Sequence, residues 1–122
     1  MAIPMIPKRI LIAEDDPSHR KMLARFAKLK GYDVAVVTDG VDLLKASANE
    51  RFDLIITDLN MPDLNGASAA EIMKMQGNSV PVIALTAHSP KELQLVQYTF
   101  DKIFYKPCNI NELIGYVELL LE

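Results

Sequence analysis

Two hydrophobic periods alternate along this 122-residue chain. Short apolar runs with β-branched residues occur at Arg9–Ala13, Asp33–Val37, Leu54–Thr57, Val80–Leu85 and Lys102–Tyr105, and each predicts a strand. Between them apolar residues recur every three or four positions, the spacing of a helix. The expected stripes are Met22, Leu23, Phe26 and Ala27, then Val41, Leu44 and Lys45, then Ile72, Met73 and Met75. A fourth comprises Leu93, Val96 and Gln97, and a fifth Ile110, Leu113, Ile114, Val117, Leu120 and Leu121.

Polar punctuation marks the helix ends. Asp16-Pro17 sets a capping acid before a first-turn proline. Ser89-Pro90-Lys91-Glu92 and Asn109-Ile110-Asn111-Glu112 have capping-box spacing. Gly31 and Gly77 follow the first and third helices, where a left-handed residue commonly ends a helix. Met1–Pro7, with two prolines and no periodicity, predicts an extended tail before one domain spanning residues 8–122. Runs that are apolar throughout indicate strands buried on both faces, hence a parallel sheet covered by helices. Right-handed crossovers leave a doubly wound α/β sheet as the leading topology, with its chemistry beyond the carboxyl ends of the strands.

Those ends carry a specific set of groups. The first strand runs into Glu14-Asp15-Asp16, the third into Asp58-Leu59-Asn60, the fourth into Thr86-Ala87 and the fifth into Lys106-Pro107. Glu14, Asp15 and Asp58 would repel one another unless a cation intervened. Mg²⁺ suits a few carboxylates with waters and a phosphoryl oxygen. Lys106 is a point charge for another such oxygen, and Thr86 offers a hydroxyl. Asp58 is then a plausible nucleophile for an incoming phosphoryl group. Asp16 reads as a helix cap, Cys108 as a small half-buried residue, and His19 and His88 as solvated rather than metal-bound.

Composition narrows the picture. Thirteen bases against sixteen acids leave a net charge of −3, which argues against a nucleic-acid or anionic-membrane surface. One cysteine excludes an internal disulfide framework, and no apolar run reaches the roughly 20 residues that span a bilayer. A cytoplasmic domain is the expectation.

The segments ILIAEDDP, FDLIITDLNMPDLNG, VPVIALTA and FYKP, in this order, resemble the receiver domain of bacterial two-component response regulators. The resemblance spans about Lys8 to Leu121. It implies a flavodoxin-like (βα)5 fold of strand order 2-1-3-4-5, and phosphorylation of Asp58 from a phosphohistidine of a histidine kinase or phosphotransfer domain. It further implies Mg²⁺ held by the carboxylates of Asp15 and Asp58 and the backbone carbonyl of Asn60, with Glu14 acting through a metal-bound water. Thr86 would be the switch hydroxyl and Lys106 the phosphate-contacting lysine, followed by a cis bond to Pro107. Gly66 matches the glycine after the phosphorylation loop, Ala87 leaves room for the phosphoryl group, and Asn60 and His88 would tune phosphate lifetime. The family's usual aromatic switch position is Ile103 here. That departure leaves a phosphorelay intermediate or an interaction-only pseudo-receiver as alternatives.

Other readings fit less well. A haloacid-dehalogenase-like phosphatase would carry its nucleophile on the first strand. A flavodoxin would need a Ser/Thr/Gly phosphate loop where this chain has E-D-D. Partners follow from surface pattern. The first helix carries Arg20, Lys21, Arg25, Lys28 and Lys30 with no acid among them, which reads first as a solvated basic face and otherwise as a docking surface for a kinase helical bundle. Leu95, Tyr98 and Phe100 are candidates for an exposed dimer or effector face on the fourth helix, fifth strand and fifth helix.

Overall fold

The five runs form one parallel sheet: β1 Arg9–Ala13, β2 Asp33–Val37, β3 Leu54–Asp58, β4 Val82–Thr86 and β5 Lys102–Tyr105, in the order β2-β1-β3-β4-β5. The computed structural model describes residues 6–61 and 63–122. Of the expected tail, residues 1–5 lie outside the described residues, and Ile6 and Pro7 are exposed without regular structure. Four α-helices follow: α1 Pro17–Leu29, α2 Gly40–Asn49, α3 Gly66–Met75 and α4 Ile110–Leu121.

Alternate strand residues enter opposite layers, as a pleated strand requires. Leu11, Ala13, Ile55, Val82 and Ala84 pack with Leu43 of α2 and with Ala69, Ala70 and Met73 of α3. Ile10, Ile12, Leu54, Ile56, Ile83 and Leu85 pack with Leu23, Ala24 and Ala27 of α1 and with Leu113 and Val117 of α4. The inner strands are therefore apolar at successive positions through Ile10–Ala13, Leu54–Ile56 and Val82–Leu85, because each of these positions lies in one of two cores.

Several expectations shift. The strand expected from Val80 starts at Val82: Pro81 has no N–H for the ladder, and its carbonyl accepts from Ile55 N at 2.9 Å. The buried stripes are rotated from the expected ones. Leu23, Ala24 and Ala27 are buried on α1 while Met22 is exposed; on α2 Leu43 is buried while Val41 and Lys45 face solvent. Met75, at 85 % exposed, leaves the α3 stripe, and Leu120 lies at the margin of α4. Phe100 is buried, so the candidate exposed patch reduces to Leu95 and Tyr98.

The expected fourth helix is a run of tight turns ending in a 3₁₀ turn at Gln97–Thr99. Its hydrogen bonds mostly reach back three residues, as from Leu93 N to Pro90 O, and only Gln97 N reaches back four, to Leu93 O. Short helices depend on tertiary packing. This segment offers Leu93 and Phe100 as its buried anchors, with Leu95 and Tyr98 in solvent. The Ser89–Glu92 capping box nevertheless forms, with Ser89 Oγ accepting from Glu92 N and Glu92 Oε1 accepting from Ser89 N, both at 3.3 Å.

Caps hold the other ends. Asp16 accepts from His19 N, and Asn109 accepts from Asn111 N and Glu112 N. Asp39 and Asn65, not singled out in the sequence, cap α2 and α3. Gly31 and Gly77 have φ of +92° and +82°, as expected after α1 and α3.

Gly66 instead answers to a close approach. A Cβ there would lie 2.4 Å from the Asp58 carbonyl oxygen and 2.8 Å from Thr57 Oγ1. Gly115, on the exposed side of α4, would place a Cβ in open space. Urea unfolding should therefore give opposite signs for one substitution: Gly66→Ala destabilises by about 1–3 kcal/mol through overpacking, and Gly115→Ala stabilises by about 0.5–1 kcal/mol through helix propensity.

Candidate functional site

Parallel register carries the polar strand ends to one edge. Ala13 is level with Thr57, Asp58 with Leu85, and Thr86 with Tyr105, so each polar residue follows its last apolar neighbour at the same height. Glu14, Asp58 and Thr86 are buried there, while Asp15 and Asn60 are exposed. One carboxylate oxygen from each of Glu14, Asp15 and Asp58 lies within 4.8 Å of the others. Lys106 Nζ donates to Asp58 Oδ2 at 3.1 Å and to Glu14 Oε1 at 3.4 Å. Its bond to Pro107 is cis.

Burial, followed by the charge of Asp58, pushes the Glu14 carboxyl above its ordinary range, against the opposing pull of His19 and Lys106. For Lys106, burial disfavours the ammonium, but the hydrogen bond to Asp58 and the charges of Asp58 and Glu14 outweigh it and raise its pKa. Three acids and one ammonium leave net negative charge among oxygen ligands. A hard divalent cation suits such a donor set.

The acidic cluster has a stability signature. Between the unfolded and the raised folded pKa of Glu14, the native chain keeps a proton that the unfolded chain has released. Stability should fall as pH rises through that window, above the ordinary carboxylate range. Glu14→Gln should remove that slope and stabilise the metal-free protein at neutral pH by about 1 kcal/mol, read as a melting temperature a few degrees higher.

Three further residues join the site that their sequence positions did not mark. The His19 ring packs its Nδ1 against Glu14 Oε1, so His19 is not a solvated residue. Arg20 Nη1 donates to the carbonyls of Glu14 and Asp15 at 3.0 and 3.2 Å. Both lie in the first turn of α1. Helical side chains lean toward the N-terminus, and that is the signal that could have found them. The third is Glu92. His88 is half-exposed with both ring nitrogens engaged, Nδ1 on Glu92 Oε2 at 2.7 Å and Nε2 on Asn60 Oδ1 at 2.9 Å. The His88 bond, and next the backbone and hydroxyl of Ser89, hold the Glu92 carboxyl below its ordinary range.

Thr86 Oγ1 accepts from His88 N at 2.9 Å, and Asn60 N donates to Asp58 Oδ1 at 3.2 Å. Ile103, level with Ala84 in the sheet, is half-buried against the core layer that holds Leu93 and Phe100. Cys108 is half-buried, and that burial raises its thiol pKa.

The model of the response regulator receiver domain matches residues 10–118. The chain belongs to this family. As a receiver domain it is 33 % identical over 93 % of its length to the transcriptional regulatory protein PrrA of Mycobacterium tuberculosis, covering 49 % of that protein. It is 42 % identical over 66 % of its length to the sensor protein EvgS of Escherichia coli, covering 7 % of it. The domain thus spans about half or less of these relatives. Among solved structures, the response regulator TrrA from Thermotoga maritima, in complex with Mg²⁺ and BeF, is 30 % identical with a TM-score of 0.85, over 93 % of this chain and 98 % of that one. Another structure shows TrrA in complex with the histidine kinase ThkA, at a TM-score of 0.84. Among the described residues, no helix is long and apolar enough to cross a membrane.

Proposed function

We propose that this receiver domain accepts a phosphoryl group on Asp58 from a phosphohistidine, with Mg²⁺, and changes its partner binding in response. The observation that carries the reading is the meeting of Glu14, Asp15 and Asp58 oxygens within 4.8 Å while Lys106 bonds to Asp58. A carboxylate oxygen of Asp58 attacks phosphorus, and the bond from phosphorus to the donor histidine nitrogen breaks. Lys106 lies where charge accumulates on the phosphoryl oxygens, and the Thr86 hydroxyl is available to another of them. Glu14, Asp15, Asp58 and the Asn60 carbonyl would hold the metal, Glu14 through a bound water. Bound there, Mg²⁺ would neutralise the carboxylates and the phosphoryl charge, worth several kcal/mol in the transition state.

Lys21, Arg25 and Lys28 are exposed on α1 and suit a kinase or phosphotransfer helical bundle, and the similar regulator TrrA forms a complex with the histidine kinase ThkA. A cytoplasmic location fits such a partner. Leu95 and Tyr98 provide a second face for an effector or a second copy. Ile103 supports another reading, a relay intermediate, because it supplies no aromatic ring to swing toward Thr86. The pseudo-receiver alternative is disfavoured because the acids, the hydroxyl and the lysine share one edge. Incubation with a small acyl phosphate and Mg²⁺, read by intact mass, tests the proposal: one acid-labile phosphoryl group should appear, and a chelator should prevent it.

A further inference from the structure

The phosphorylation edge is bridged by a chain of side chains joining two loops. Asn60, on the segment after β3, is tied to Asp58 by its backbone N–H. Its side chain meets Nε2 of His88, on the segment after β4, and Nδ1 of that ring rests on Glu92. The ring's own main chain is tethered to Thr86 Oγ1. An imidazole held this way has no free lone pair for a water. The neutral ring donates to Glu92 and accepts from the Asn60 amide in its other orientation, whereas the charged ring donates to both. The engagement therefore holds in either protonation state. Glu92 is in turn anchored by Ser89 N and Oγ at 3.3 and 3.1 Å.

We propose that Glu92 is a positioning residue which, through His88, clasps Asn60 across the mouth of the site and slows hydrolysis of phosphorylated Asp58. The inference rests on the reading that Asp58 carries the phosphoryl group. In hydrolysis a water oxygen forms a new bond to phosphorus and the bond from phosphorus to the Asp58 oxygen breaks. The carboxylate is regenerated and the water's protons pass to inorganic phosphate and solvent. A ring locked against Asn60 obstructs the approach of that water and cannot serve as its base.

The test phosphorylates the domain with an acyl phosphate and Mg²⁺, removes the donor, and follows the decay of the acid-labile label. Glu92→Ala should speed decay roughly two- to tenfold, the effect of losing one modest hydrogen bond. Glu92→Gln, whose amide oxygen still accepts from Nδ1–H, should restore most of the lifetime. His88→Ala should match Glu92→Ala, and the double variant should decay no faster than either. Ser89→Ala, which removes one of the two anchors of Glu92, should speed decay by less than Glu92→Ala. The ¹⁵N shift of His88 Nδ1 should move in Glu92→Ala and stay close to wild type in Glu92→Gln. Wild-type decay in Glu92→Ala, or additive effects in the double variant, overturns the clasp while leaving the phosphorylation site standing. Absence of any label in the wild type overturns both.

Discussion

Asp58→Asn should show no mass gain with acyl phosphate and Mg²⁺, where the wild type takes up one phosphoryl group. The substitution is close to isosteric: the one carbonyl oxygen of Asn can keep accepting from either Lys106 Nζ or Asn60 N, which bond different oxygens of Asp58, so the edge should keep most of its shape. What disappears is the anionic oxygen that attacks phosphorus. The amide is a far weaker nucleophile and contributes no charge to a cation site. The effect is all-or-none, from one label to a level below detection. A label surviving in Asp58→Asn would place the chemistry on another oxygen, with the exposed Asp15 carboxylate an alternative in the same cluster.

Lys106→Ala is expected to have the second-largest effect. Lys106 is the cation whose hydrogen bonds reach both Glu14 and Asp58, and its raised pKa keeps it charged at neutral pH. Removing one fixed donor aimed at developing charge typically costs about 10²–10³ in rate. The initial rate of labelling should fall by that factor while the final label stays on Asp58. The metal-free variant should also melt lower, because two buried carboxylates lose their compensating charge. Together with a melting temperature that rises in Glu14→Gln, this gives opposite shifts within one cluster. A Lys106→Ala protein labelled at the wild-type rate would remove the lysine from the chemistry.

Local signals carried much of the fold. Strands β1, β2 and β5 lie where their apolar runs place them, and Asp16 and Asn109 cap the helices they precede. These features depend on neighbours a few residues apart, which sequence displays directly. The fourth helical segment did not follow its period, because a short helix needs buried anchors on one side and Leu95 and Tyr98 found none. Helix faces depart from their period for a related reason. Periodicity reports that a stripe exists, but packing distance favours small Ala24 and Ala27 over Met22 at the contact with the sheet.

The site divides in the same way. The residue types at four strand ends, Glu14 with Asp15, Asp58, Thr86 and Lys106, were determined by sequence alone, since a parallel sheet must deliver its carboxyl ends to one edge. So was the demand of three acids for a cation, and the net charge of −3 is sharpened into a local negative cluster beside a basic α1. Tertiary structure alone decided which groups hold those residues in place: His19 against Glu14, Arg20 on the carbonyls of Glu14 and Asp15, and Glu92 holding His88 against Asn60. Residue type and spacing specify charge and period. A hydrogen bond also needs direction, and direction is set only when strands, loops and helix ends are packed together.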